Sequence, residues 1–218
     1  MNWEYGGAYK QIDMTGVIDL PNGSKVAVCD WLESLPEFMK EADTLFIDPP
    51  WNKGNINSFY TKADKEAPDY DFLWFSSRLF GCIDEIAPRF LFIEMGAQFL
   101  QHYLIECRKR YSYVSYYSSR YYNRRDNVCY VIHATDDHSR SRYDVLEGMN
   151  EEQIIKWICS NHSYECIGDL CMGLGLVGKY AFLNEKRFVG TELNQKRLAV
   201  LVDALRSWPE KSKLRLIK

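Results

Sequence analysis

The stretch Glu165-Cys166-Ile167-Gly168-Asp169-Leu170-Cys171-Met172-Gly173-Leu174-Gly175-Leu176-Val177-Gly178 reads as a strand that reaches an acid, turns through glycine and opens a helix over Leu176–Leu183. The next apolar run, Arg187-Phe188-Val189-Gly190-Thr191, reads as a second strand and ends at Glu192. Glycine lets the backbone pass close beneath a ligand, and an acid at the following strand's end can accept both hydroxyls of a ribose. Strand, glycine turn, helix and strand in that order point to an alternating α/β scaffold with a parallel sheet. Taken literally, Gly173–Gly178 also matches the G-x-G-x-x-G dinucleotide pattern, so a nicotinamide-dependent oxidoreductase is a competing reading. A glycine turn in an unrelated α/β protein is the plainer alternative.

Far upstream, the apolar run Thr44-Leu45-Phe46-Ile47 closes on Asp48-Pro49-Pro50-Trp51 and then on Asn52-Lys53-Gly54-Asn55. Each proline fixes its own φ and removes an N–H, and each residue before a proline is pushed toward extended geometry. Two carbonyls and one carboxylate are thus held outward beside an aromatic ring. Such a group can accept hydrogen bonds from an exocyclic amine while the ring stacks on the base that carries it. An ordinary Asp-Pro turn after a strand is the bland alternative.

Together these elements resemble class I methyltransferases that use S-adenosylmethionine. Their order, with the tetrad ahead of the glycine loop, is similar to that of the circularly permuted, β-type DNA amino-methyltransferases of adenine N6 and cytosine N4. The resemblance runs from about Val26 to Leu205 and is most specific at the tetrad and at Gly173–Glu192. It implies a doubly wound, mostly parallel Rossmann-like sheet, S-adenosyl-L-methionine as cofactor, and DNA as partner. Asp48, Pro49, Pro50 and Trp51 would then be catalytic. Cofactor contacts would come from Asp30, in the segment Val26–Pro36, from Asp48 and Pro49, from Asp169, Leu170, Cys171, Gly173 and Gly175, and from Glu192 and Leu193. The chain departs from the pattern twice. Asp169-Leu170-Cys171 stands for the usual Asp-Pro-Phe, and no Lys-Pro precedes the helix near Met149-Asn150.

Adenine N6 is expected over cytosine N4 because the tetrad begins with Asp, where many cytosine enzymes have Ser. RNA adenosine enzymes share Asp-Pro-Pro-Trp, which leaves RNA as the alternative substrate. A catalytically weak, nucleic-acid-binding subunit of a methyltransferase pair is a further alternative, motivated by Leu170-Cys171. About seventeen residues separate the hairpin described below from the helix at Glu151, where sequence-specific relatives often carry a target-recognition insertion. A single methyltransferase domain over residues 1–218 is therefore expected, with recognition weak, shared across a homodimer, or supplied by a partner subunit.

The 218 residues suffice for one full core, and nearly half are apolar, with about a quarter charged. No run of some eighteen apolar residues predicts a membrane span, and the N-terminus lacks a secretion-signal layout. Seven scattered cysteines without a Cys-x-x-Cys pair fit free thiols in a reducing cytoplasm, with no metal site expected. Net charge is −3, yet between Arg108 and Arg142 eight basic residues face three acids, interleaved with six tyrosines from Tyr111 to Tyr122. Such a patch suits phosphates and bases, and a solvated hairpin or a dimer interface uses the same residues. Asn52, Lys53, Arg120, Tyr122, Arg124 and Arg125 are the candidate nucleic-acid contacts.

Further elements follow from pattern. Strands are predicted at Val26–Cys29, Leu45–Ile47 and Arg89–Glu94, and a hairpin at Ser112–Tyr117 and Asn127–His133, forming an antiparallel edge. Helices are predicted at Leu32–Met39, Gln98–Arg110, Glu151–Cys159 with Asn150 as cap, and Gln195–Arg206. Phe72, Phe75, Leu79, Ile83 and Ile86 recur at helical spacing as a core stripe. Residues 52–68 read as a polar loop long enough to serve as a lid.

Overall fold

Eight strands form one mixed sheet: β1 (Val17–Asp19), β2 (Lys25–Val28), β3 (Thr44–Ile47), β4 (Phe90–Met95), β5 (Tyr113–Arg120), β6 (Val128–Thr135), β7 (Cys166–Asp169) and β8 (Arg187–Glu192). The computed structural model describes residues 5–121, 127–137 and 142–207. The spatial order is β1-β2-β8-β7-β3-β4-β6-β5. β2, β8, β7, β3 and β4 run parallel, while β1 and the β5–β6 hairpin add antiparallel edges.

Among the described residues six α-helices cover the sheet: α1 (Lys53–Lys62), α2 (Phe72–Ile86), α3 (Leu100–Arg108), α4 (Glu151–Asn161), α5 (Leu176–Leu183) and α6 (Gln195–Arg206). Residues of β3 and β4 are buried throughout and alternate between two cores. Leu45, Ile47, Leu91 and Ile93 pack with α1, α2 and α3. Phe46, Phe90 and Phe92 pack on the other side with α4, α5 and α6. That strict alternation is what a period-2 strand buried on both faces requires. Among the described residues no helix is long and apolar enough to cross a membrane.

The five residues of the predicted α2 stripe are all buried. α5 and α6 occupy the predicted spans, and Asn150 caps α4 in a reciprocal box with Gln153, at 2.9 and 3.0 Å. Two expectations fail. Residues 52–68 are not a loop, because α1 fills their first part. Asn52 caps it by accepting from Asn55 N at 2.9 Å, and Ile56 and Tyr60, one turn apart, carry its buried face. Two apolar anchors amid polar residues are too sparse a stripe to read as a helix. Leu32–Met39 is no α-helix either: Pro36 interrupts it, and only a short 3₁₀ turn forms at Glu37–Glu41. β1 carries no readable pattern and was not anticipated.

The glycines after β7 do different jobs. Gly173 (φ +57°) and Gly175 (φ +79°) both lie in the left-handed region. A Cβ on Gly175 would lie 2.5 Å from Leu201 Cδ2, so this turn lets α5 and α6 close together. Gly175→Ala is expected to destabilise the fold by roughly 1–3 kcal/mol through combined strain and overlap, read as a lowered denaturant midpoint. An unchanged midpoint would contradict this packing role.

Candidate active site

The carboxyl ends of β3, β7 and β8 open on one cleft of about 350 Å³, the place where open α/β sheets bind ligands. The register Ile47↔Ile93 makes β3 and β4 end side by side, so Asp48 emerges next to Glu94. Asp48, Pro50, Asp169, Cys171, Gly173, Glu192 and Leu193 line the cleft, as does Asp30 from the end of β2. The two sequence elements, well over a hundred residues apart, therefore share one cavity.

Each acid is held by its own contacts. Asp48 Oδ1 accepts from Trp51 Nε1 at 3.0 Å. Asp169 Oδ1 accepts from Cys171 N at 2.9 Å. Glu192 accepts from Gly173 N at 2.6 Å and from Asn194 N at 2.9 Å, which fixes its carboxylate under the glycine turn. Two N–H contacts leave lone pairs on both oxygens for a ligand. Asp30 Oδ2 accepts from Tyr60 of α1 at 2.5 Å, so the helix read as a loop supports the cleft.

Not every candidate faces the cavity. Leu170 is buried in the core, its carbonyl taken by Thr191 Oγ1 at 2.9 Å. Pro49 is buried and Gly175 packs under Leu201. Trp51 is half-buried: its N–H goes to Asp48, a Cβ on Gly96 would fall 2.7 Å from its Cε3, and Tyr121 packs tilted against it with centroids 4.7 Å apart. Asn52 is engaged as the α1 cap, and Lys53 donates to the Pro68 carbonyl at 2.6 Å and lies over Tyr70.

The basic segment is less positive than its sequence suggests. Arg110 pairs with Asp84 and Glu106, Lys109 with Glu106, and Arg142 with Asp144 and Glu147. Tyr111 and Tyr117 are core residues. Arg120 is exposed at the end of β5, whereas Tyr122, Arg124 and Arg125 lie outside the described residues. All seven cysteines are free, and five of them are buried.

Sequence reasoning missed two cleft residues, Arg197 and Glu151, and a further acid beside Asp48, Glu94. Arg197 on α6 is the cation among the lining residues, and it draws the carboxyls of Asp48, Glu151 and Glu192 back toward ionisation. Glu94 is fully enclosed at the end of β4, and Glu151 starts α4. Asp48, Glu94 and Glu151 each present a carboxylate oxygen, and these oxygens lie within 4.8 Å of one another. Burial, then repulsion from Glu151, pushes Asp48 up to about 8, against the Trp51 hydrogen bond and Arg197. Burial, then Asp48 and Glu151, pushes Glu94 up to about 9. A lone acid in the apolar run Phe-Leu-Phe-Ile-Glu-Met was the available signal for Glu94.

Unfolded carboxyls titrate near pH 4. Between about pH 4 and pH 9 these carboxyls therefore hold more protons in the folded protein than in the unfolded chain, and their contribution to stability falls as pH rises through that window. Glu41 and Glu106, held low by burial-opposed ion pairs, act only below it. His133, which burial pushes down to about 3, works the other way only below about pH 6.5. The melting temperature of the ligand-free protein is expected to drop from about pH 5 to about pH 8.5, with a flatter profile in Glu94→Gln. A melting temperature that rises over this range would contradict the burial of unpaired carboxyls.

No protein-family model matches the chain, and no curated protein matches it. Solved structures do. The chain is similar to M1.HpyAVI in its SAM complex (TM-score 0.57, 12% identity, 83% of this chain and 98% of that one). It is similar to TTHA0409 of Thermus thermophilus complexed with S-adenosyl-L-methionine (TM-score 0.54, 14% identity, 83% and 92%). It is also similar to the PvuII DNA methyltransferase, which is cytosine-N4-specific (TM-score 0.52, 13% identity, 86% and 89%). The fold is thus the Rossmann-like fold of class I methyltransferases.

Proposed function

We propose that this protein is an S-adenosylmethionine-dependent methyltransferase that methylates the N6 amino group of adenine in DNA. The observation that carries this reading is the meeting of Asp48 and Pro50, at the end of β3, with Gly173 and Glu192 in one cleft. Two of the similar structures hold S-adenosylmethionine, which supports the choice of cofactor. The strand order also supports a circularly permuted member of the class, since the glycine-loop strand β7 comes late in the chain yet lies at the centre of the sheet. The similarity to a cytosine-N4 enzyme covers the fold, and Asp at the head of the tetrad favours adenine.

The cleft's volume and acceptors fit the cofactor. Its size lies in the range of small-molecule sites; Glu192 is proposed to accept from the ribose, and Asp30, which lines the same cleft, to stand near the adenine. When bound, the cofactor supplies a methyl group on a cationic sulfur, and the acids around Asp48 favour that charge. Asp48 accepts an amino hydrogen, turning the nitrogen lone pair out of conjugation toward the methyl carbon. Orientation and fixed dipoles then supply most of the acceleration. The base must leave a duplex to reach the cleft, and Trp51 with Tyr121 provides the aromatic wall beside it. Saturable calorimetric binding of S-adenosylmethionine, unaffected by NAD, tests the cofactor assignment. Binding of NAD alone would instead support the oxidoreductase reading.

The exposed Arg120, with Arg124 and Arg125, is proposed to contact phosphates. Replacing all three by Ala is expected to weaken DNA binding for every sequence and to flatten its salt dependence by about one counterion per lost contact. Cofactor affinity should not move. A parent-like salt slope with a changed subunit count in sedimentation would assign the hairpin to a subunit interface.

A further inference from the structure

Nothing in the tetrad alone disposes of the proton that a methylated amine must lose. Beside Asp48 stand two more carboxylates, Glu94 and Glu151, with one oxygen of each within 4.8 Å of the others. Glu94 is 0% exposed; among the described residues its Oε1 accepts only from Cys129 Sγ at 3.5 Å, and its Oε2 has no hydrogen-bond partner. A buried carboxylate left like this is costly as an anion. Three like charges at this separation cannot all ionise, so the group must share protons, as paired acids do.

We infer that Glu94 and Glu151 serve with Asp48 as a shared proton store, which takes the proton shed by the amino nitrogen and passes it to solvent. This rests on the methyltransferase reading. As the nitrogen–carbon bond forms, the carbon–sulfur bond breaks and its electron pair stays on sulfur, leaving a neutral thioether and a methylated ammonium. That nitrogen gives one proton to ionised Asp48, so a cation and an anion become two neutral products. The carboxyl proton then moves within the trio. Glu151 is the exit. It is the one of the two helpers that is partly exposed, and it opens α4, whose N-terminus favours its ionised form. Glu94 is the enclosed member that keeps a proton. The other groups facing the trio are Arg197 from α6, Asp169 from β7, Cys171 just after it, Cys129 from β6 and Glu152 beside Glu151. Glu94 and Glu151 act through Asp48 and are positioning residues.

Infrared titration of the ligand-free protein reads the store without any activity. A protonated carboxyl band is expected to persist at neutral pH and to lose intensity in Glu94→Gln. Its absence from the wild-type protein at neutral pH would overturn the proposal, whether or not the variant folds. Single-turnover methyl transfer supplies the second readout. In Glu151→Gln one repelling charge is gone, so the acidic limb of the pH–rate profile should move down by about one unit. The rate in Glu94→Gln should fall about 10–100-fold, within the range of general-base effects. Unshifted limbs in both folded variants would overturn the proposal, as would tight retention of Mn²⁺ by the wild type that either variant abolishes. If S-adenosylmethionine does not bind at all, the methyltransferase reading fails, and the infrared band still decides the proton store.

Discussion

Asp48→Ala is expected to lower methyl transfer by at least about 10³-fold, the scale of losing an acceptor aimed at charge that develops in the reaction. The fold should survive. The side chain stands at a strand end facing the cleft, and its interactions are one hydrogen bond from Trp51, attraction from Arg197, and repulsion from Glu94 and Glu151. Removing a carboxyl that burial pushes up to about 8 relieves an unfavourable charge above that pH, so the variant should be as stable as the parent or more so there. Single-turnover rates with a saturating cofactor, alongside thermal melts, check both halves. Near-parent turnover in a folded variant would remove Asp48 from the chemistry.

Glu192→Ala should raise the dissociation constant for S-adenosylhomocysteine by about 10–100-fold, since a hydrogen bond to a charged group contributes about 1.5–3 kcal/mol. The loss has two sources: the ribose contact, and the Gly173 and Asn194 N–H groups left without their acceptor. Glu192→Gln separates them, because its amide oxygen can still receive one N–H while the charge is lost. If both variants bind like the parent in calorimetry, the glycine turn is structural and the cofactor pocket lies elsewhere. Asn194 also donates to the Lys62 carbonyl at 2.6 Å, so a disturbed turn should reach α1 as well.

What could be read from the sequence was what local chemistry dictates. The glycine turn, the strands around it and the spans of α5 and α6 follow from period, caps and punctuation confined to a few residues. The tetrad announced itself because two prolines and an acid admit few conformations. α1 escaped because its buried face rests on only Ile56 and Tyr60, and its cap looks like any loop asparagine. Glu94 and Glu151 escaped for a different reason. They meet Asp48 only because β3 and β4 end in register and α4 begins beneath them, a convergence of distant elements that no local pattern encodes. Arg197 was hidden in the same way, on a helix read correctly but with its inner face unassigned. The basic segment was over-read, since Arg110 and Arg142 are occupied by acids distant from them or beyond the segment.

The most direct test is to incubate the protein with methyl-labelled S-adenosylmethionine and separate pools of DNA and RNA, then digest the products and identify the labelled nucleoside. The label should appear in DNA as N6-methyladenine and be lost in Asp48→Ala. Label in N4-methylcytosine or in RNA would correct the substrate while keeping the site. Tight cofactor binding with no labelled base in either pool would contradict the catalytic account and leave a nucleic-acid-binding subunit in its place.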